Sequence, residues 1–197
     1  AHKLPQHVLH RDIRPPNIML EDRYTDDTNW RLVVLDFDLS WHKDAIEKSI
    51  FSVTSAAGYL APEQLHRQMG VSTRNAAVDS FGVGMTLFYM VAGRDPVPNE
   101  HTRSDWAPTV MNVCRQYSES LWKCVPFRMA RLILKATKDQ QAERCDMALM
   151  ERELTKMFRL ECGDQDYLTA VLMAEEIAAR AGHGYEWDSD RDVAMLS

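Results

Sequence analysis

The chain has no glycine-rich run, no surplus of positive charge and no long hydrophobic segment, and each lack removes a class of function. Its 8 glycines are scattered and never form a stretch that cradles phosphates. A net charge of -6 argues against a general binder of nucleic acid or anionic membranes, which would carry a basic excess. The longest apolar run, Ser80 to Gly93, falls short of the roughly 20 helical residues that span a bilayer. It reads as a buried core helix. The 4 cysteines, Cys114, Cys124, Cys145 and Cys162, have no paired metal-ligand spacing and are expected to be reduced, mostly buried thiols of a cytoplasmic protein. The opening residues carry no secretory signal, and neither internal repeats nor low-complexity tracts occur.

What is present suffices for a folded unit: 197 residues with 45% hydrophobic content can bury a sizeable core. Val8-Leu9, Ile18-Met19-Leu20 and Arg31 to Leu35 read as short strands, with polar Glu21 to Asn29 as an exposed hairpin loop. Asp36 to Glu63 shows no period, as expected of a long functional loop. The remainder reads as helical. Pro62 suits a first helical turn, and a helix begins near Asp79. Gly93 to Pro108 reads as a connection. Arg128 to Lys138 carries Met129, Leu132, Ile133 and Ala136 at helical spacing, and Met147, Met150, Leu154, Met157 and Phe158 form a second stripe. Both stripes are expected in the core. A last helix is expected from Asp164 to Gly182, with Tyr167, Val171, Ala174, Ile177 and Ala181 on one face, followed by a solvated acidic tail, Glu186-Trp187-Asp188-Ser189-Asp190.

The most informative stretch is His10-Arg11-Asp12-Ile13-Arg14-Pro15-Pro16-Asn17, followed by Asp36-Phe37-Asp38. Phosphoryl transfer needs a carboxylate to orient a hydroxyl and oxygen ligands to hold magnesium against phosphates. Asp12 and Asn17 on one loop, with Asp36 at the end of the apolar run Leu32 to Leu35, supply those parts. Further signals follow in order: Ala61-Pro62-Glu63, Asp79-Ser80-Phe81-Gly82-Val83-Gly84 and Arg144. Together these anchors make the chain resemble the C-terminal lobe of a eukaryotic-type protein kinase, from about residue 4 to 158.

The resemblance implies a mainly α fold: a helical lobe over 1–158 with short strands beside the catalytic loop, and an extra C-terminal helix and acidic tail over 159–197. A glycine loop, lysine strand and paired glutamate do not occur, so a nucleotide-binding N-lobe is expected in the full-length chain or in trans. The implied activity is transfer of the ATP γ-phosphate to serine or threonine of a protein substrate, with ATP and Mg2+. Pro15 and Gly58-Tyr59-Leu60 resemble the serine/threonine branch.

By the same resemblance, Asp12 orients the substrate hydroxyl, as an exposed aspartate that acts mainly by positioning. Asn17 and Asp36 hold the metal, Asp36 bridging to the phosphates, since a bare carboxylate buried after that strand would otherwise be costly. Met19 floors the adenine site or sits in the core. His10 and Phe37 stack in an apolar column. Arg11 pairs with a phosphorylated residue among Ser49, Ser52, Thr54 and Ser55. Asp79 receives backbone hydrogen bonds from the catalytic loop, and Glu63 pairs with Arg144.

Three positions depart from the pattern. Arg14 stands where these kinases carry the lysine that reaches the transferred phosphate, Ala56 where they carry a threonine, and Asp38 where they carry glycine. These departures support a rival reading, a pseudokinase-type module that docks partners without turnover. A small-molecule phosphotransferase shares the Asp/Asn/Asp set, but Ala61-Pro62-Glu63 and the Asp79 helix speak against it.

Overall fold

A computed structural model describes residues 8–22, 30–43, 57–65, 71–117 and 124–161. The loop 23–29, the hydroxyls Ser49, Ser52, Thr54 and Ser55, Ala56, and the expected helix and tail after residue 162 lie outside the described residues. The fold is mainly α. Two antiparallel strands, β1 (Ile18–Asp22) and β2 (Trp30–Val34), form a hairpin in the register Ile18↔Val34 to Asp22↔Trp30. Five helices follow among the described residues: α1 (Pro62–Leu65), α2 (Ala77–Ala92), α3 (Trp106–Tyr117), α4 (Cys124–Ala136) and α5 (Met147–Glu161). The expected strand at Val8-Leu9 is reduced to one bridge, in which Leu9 exchanges backbone hydrogen bonds with Trp41 at 2.8 and 2.9 Å.

Helix α2 organises the rest. It is apolar on nearly every side, the pattern of a helix that must be enclosed, and its Phe81, Met85 and Phe88 are fully buried. Asn75 starts it by accepting the Ala77 N–H at 3.0 Å, and Gly93 ends it in the left-handed conformation with φ 65°. Helices α3 and α4 pack on it, and α5 packs on α4. They contribute Trp106, Val110, Leu132, Ile133, Met150, Met157 and Leu160 to one core.

Two glycines set how closely α2 is approached. A Cβ on Gly84 would lie 2.6 Å from the Ala136 Cβ of α4, and one on Gly82 would lie 2.9 Å from the Ile13 carbonyl oxygen. The bare backbone at Gly82 therefore lets the loop that carries Asp12 rest directly on the core helix.

Several details differ from the sequence reading. Helix α3 begins at Trp106, inside the stretch read as a connection, because Pro108 falls in its first turn, where a missing N–H costs nothing. Phe158 lies at the edge of its stripe and is exposed, whereas Met150 and Met157 are buried. Cys114 and Cys145 are free, buried thiols, and burial pushes their pKa values up to about 12 and about 11. Among the described residues no helix is long and apolar enough to cross a membrane.

Candidate active site

The site is built on the loop from His10 to Asn17 and the chain just past β2. Asp79, buried on the first turn of α2, accepts the His10 N–H at 2.9 Å and the Arg11 N–H at 2.7 Å. Those bonds hold Arg11 in the left-handed region at φ 68°, a conformation that costs a non-glycine residue about 1–3 kcal/mol and persists only where its surroundings impose it. The turn leads through Asp12 to Ile13, whose carbonyl lies against Gly82 of α2.

Asp12 is 7% exposed, not the open carboxylate expected from the sequence. Asn17 covers it, donating from Nδ2 to both the Asp12 carbonyl and Oδ2 at 2.9 Å. Arg14 closes the other side. Its Nε lies 3.1 Å from Asp12 Oδ1 but directs its N–H at Oδ2, 3.3 Å away. Oδ1 is thus a buried acceptor that receives no hydrogen bond.

Pro15 opens a short turn that ends at Asn17 and leads straight into β1. The β1–β2 ladder continues one rung further, where the Leu35 N–H donates to the Asn17 carbonyl at 2.8 Å. Asp36 is the next residue, so the hairpin delivers it beside Asn17. Its own φ is 61°, and Asp38 N–H donates to its Oδ1 at 3.2 Å. Asp36 is exposed. The sequence argument from its burial therefore fails, because the hairpin stands clear of the helical core. Met19 is likewise 46% exposed and not part of the core.

His10 is an architectural neighbour of this set. Its Nδ1 accepts the Asp12 N–H at 3.3 Å and its Nε2 faces the Leu35 carbonyl at 2.9 Å. The network assigns the proton to Nε2 and leaves neither nitrogen for chemistry. The Phe37 ring stands edge-on to His10 at 4.7 Å.

A second group secures the far side of the site. Glu63 and Arg144 form a two-pronged pair at 2.7 and 2.8 Å, with both side chains essentially excluded from solvent. Arg144 also donates to the carbonyls of Lys138, Asp139 and Ala77. Gln141 adds a 2.7 Å bond to Glu63 and a 2.9 Å bond to the Ser72 carbonyl. Sequence reasoning missed Gln141 as well as Gln64, whose Oε1 accepts the Ala61 N–H and whose Nε2 donates to the Arg11 carbonyl. The only local signal for Gln64 is its place three residues after Ala61, where a helix-capping glutamine reaches back.

Buried His101 stands edge-on to Phe81 at 4.9 Å, on the ring that also meets the Arg144 guanidinium. Its Nε2 lies 3.5 Å from Asp139 Oδ1. Burial is the main cause that holds its pKa below the usual value of 6.5, and Asp139 only partly opposes this. The unfolded chain therefore takes up a proton there before the folded chain does. Stability is expected to be complete above pH 6.5 and to fall as the pH drops through the depressed folded value. Melting curves between pH 7 and 5 check this: His101→Gln should flatten the acid loss, and an unchanged slope would assign it to other groups.

Residues 2–155 match the protein kinase domain family. The chain belongs to that family. Kinase relatives are found across kingdoms. The chain is 28% identical over 166 residues to a probable L-type lectin-domain containing receptor kinase S.7 of Arabidopsis thaliana, covering 84% of this chain and 21% of that one. It is 26% identical over 192 residues to a probable serine/threonine-protein kinase pknA2 of Bifidobacterium longum, covering 88% and 24%. It is 35% identical over 91 residues to the phosphorylase b kinase gamma catalytic chain, liver/testis isoform, of Mus musculus, covering 45% and 21%. This kinase-family chain thus spans about a quarter or less of the length of these relatives.

Proposed function

We propose that this chain is the catalytic lobe of a protein serine/threonine kinase, which transfers the ATP γ-phosphate to a hydroxyl of a protein substrate in the cytoplasm. The observation that supports the reading is the bond from Asn17 to Asp12 on one loop, together with the hairpin rung that ties Asn17 to Leu35, the residue before Asp36. In this reading Asp12 orients the acceptor hydroxyl, and its bonds from Asn17 fix the direction of its carboxylate. Arg14, poised on that carboxylate, is the cation nearest to the transferred phosphate.

The donor set fits magnesium. Asn17 has its amide nitrogen engaged by Asp12, which leaves its carbonyl oxygen as a ligand, and exposed Asp36 supplies a carboxylate. Hard oxygen donors in small number, completed by phosphates, suit Mg2+. When bound there the ion would offset phosphate charge. An N-lobe partner is supported by apolar surface on the hairpin beside the site: Leu20 and Leu32 are 61% and 57% exposed, with Phe37 at 49%. Such a patch calls for a cover, and Met19, 46% exposed and one rung away on the opposite face of the hairpin, suits an adenine ring.

The rival reading, a docking module without turnover, is favoured by the Arg14 contact with Asp12, which covers the carboxylate. Transfer of labelled γ-phosphate from ATP by the full-length protein discriminates the two. Magnesium-dependent labelling of a protein substrate on serine or threonine is expected. A folded full-length protein that binds a partner but incorporates no label would overturn the enzyme reading.

A further inference from the structure

We propose that Gln64 is a positioning residue for Asp12, linking the end of the 57–63 segment to the peptide that leads into that carboxylate. The catalytic part of this inference rests on the kinase reading. Its geometric part does not.

Capping explains only half of what Gln64 does. With Ala61 as the cap and Pro62 as the first helical residue, Gln64 is the third, and its Oε1 accepts the Ala61 N–H at 3.0 Å. A glutamate would serve that purpose equally. The other end of the amide is unnecessary for the cap: Nε2 donates at 2.8 Å to the Arg11 carbonyl, 53 residues earlier in the chain. Only a group with a donor and an acceptor makes both bonds.

The bonded carbonyl belongs to the peptide unit between Arg11 and Asp12. That unit is planar, and its other edge is held too, because the Asp12 N–H donates to His10 Nδ1 at 3.3 Å. One step earlier, Asp79 holds the Arg11 N–H at 2.7 Å. Asp79 and Gln64 therefore grip the left-handed residue Arg11 from both sides, from different helices. Rotation of the Arg11–Asp12 peptide plane is what would swing the Asp12 side chain away from Asn17, and Gln64 opposes that rotation. Since Gln64 follows Ala61-Pro62-Glu63 directly, any shift of that segment is passed to Asp12 through this amide.

The test compares Gln64→Glu and Gln64→Met in the full-length protein. Gln64→Glu keeps the cap acceptor and removes the donor to Arg11, while Gln64→Met adds no charge and removes both. For Gln64→Glu, kcat is expected to fall about tenfold, with KM for ATP unchanged and Tm lower by only a few degrees, and amide exchange at Asp12 to quicken. Gln64→Met should show the same loss of kcat. Parental kcat and exchange in both variants, or a loss of Tm alone, would reduce Gln64 to a helix cap and overturn the inference. If the parent transfers no phosphate, the kinase reading fails by itself. Exchange at Asp12 in Gln64→Glu then decides alone, faster exchange sustaining the positioning role and parental exchange refuting it.

Discussion

Asp12→Asn is expected to lower the turnover of phosphate transfer by about 10²–10⁴-fold, with Tm and KM for ATP close to the parent's. The substitution is nearly isosteric, so the loop keeps its shape: Asp79 still holds His10 and Arg11 through their backbone N–H groups. One oxygen also remains to accept the 2.9 Å bond from Asn17. What disappears is the anionic acceptor for a hydroxyl proton and the ion pair with Arg14. In the proposed reading nucleotide binding rests on the hairpin residues, Asn17 and Asp36, all left in place, and Arg14 keeps its charge, so the KM for ATP is expected to stay close to the parent's. Single-turnover and steady-state measurements with labelled ATP separate the two parameters. Equal label incorporation by parent and variant would remove Asp12 from the chemistry. A fall in kcat that tracks a fall in Tm would make it a structural residue instead.

Asp12 and Asp36 also show where reading the sequence stops. The motif order was legible, because His10 to Asn17, Asp36-Phe37-Asp38, Ala61-Pro62-Glu63, Asp79 and Arg144 need no structure to be seen. Helices α4 and α5 were legible as well, since burial on one face leaves its period in the apolar residues, and α2 was legible as a long apolar run. Exposure at the site was not, and it came out reversed for these two carboxylates. Asp12 is buried by Asn17 and Arg14, which a loop sequence does not reveal. Asp36 is open because the two-stranded hairpin bears little of the core. Helix α3 was hidden by a proline that sits harmlessly in its first turn. The long-range bonds of Gln64 and Gln141 were invisible for a simpler reason: a glutamine carries no mark of a partner 53 or 78 residues away.

Arg144→Ala is expected to destabilise the fold by about 3–5 kcal/mol, the cost of stripping one partner from a buried ion pair. At about 2–4 °C per kcal/mol for a chain of this size, Tm should fall by roughly 10 °C. The geometry sets this pair apart from a surface pair worth about 0–1 kcal/mol. Both Glu63 oxygens are engaged by Arg144 at 2.7 and 2.8 Å in a solvent-excluded pocket. Truncation leaves the Glu63 carboxylate buried with Gln141 as its one remaining side-chain donor among the described residues, and it also deprives the Lys138, Asp139 and Ala77 carbonyls of the guanidinium. Glu63→Gln should cost less, because a neutral amide keeps the shape and the carbonyls keep their donor. Chemical denaturation of the parent and both variants gives the ordering. A loss below about 1 kcal/mol for Arg144→Ala would place the pair with exposed ones, and a larger loss for Glu63→Gln than for Arg144→Ala would show that the carbonyl contacts contribute little. The pair fastens Glu63 of α1 to the start of α2 and to the 138–139 turn, so its loss should also release the Ala61-Pro62-Glu63 segment from the helical core. Faster proteolysis between α1 and α2 in Arg144→Ala, at temperatures well below its Tm, is the local signature that separates this release from a general loss of stability.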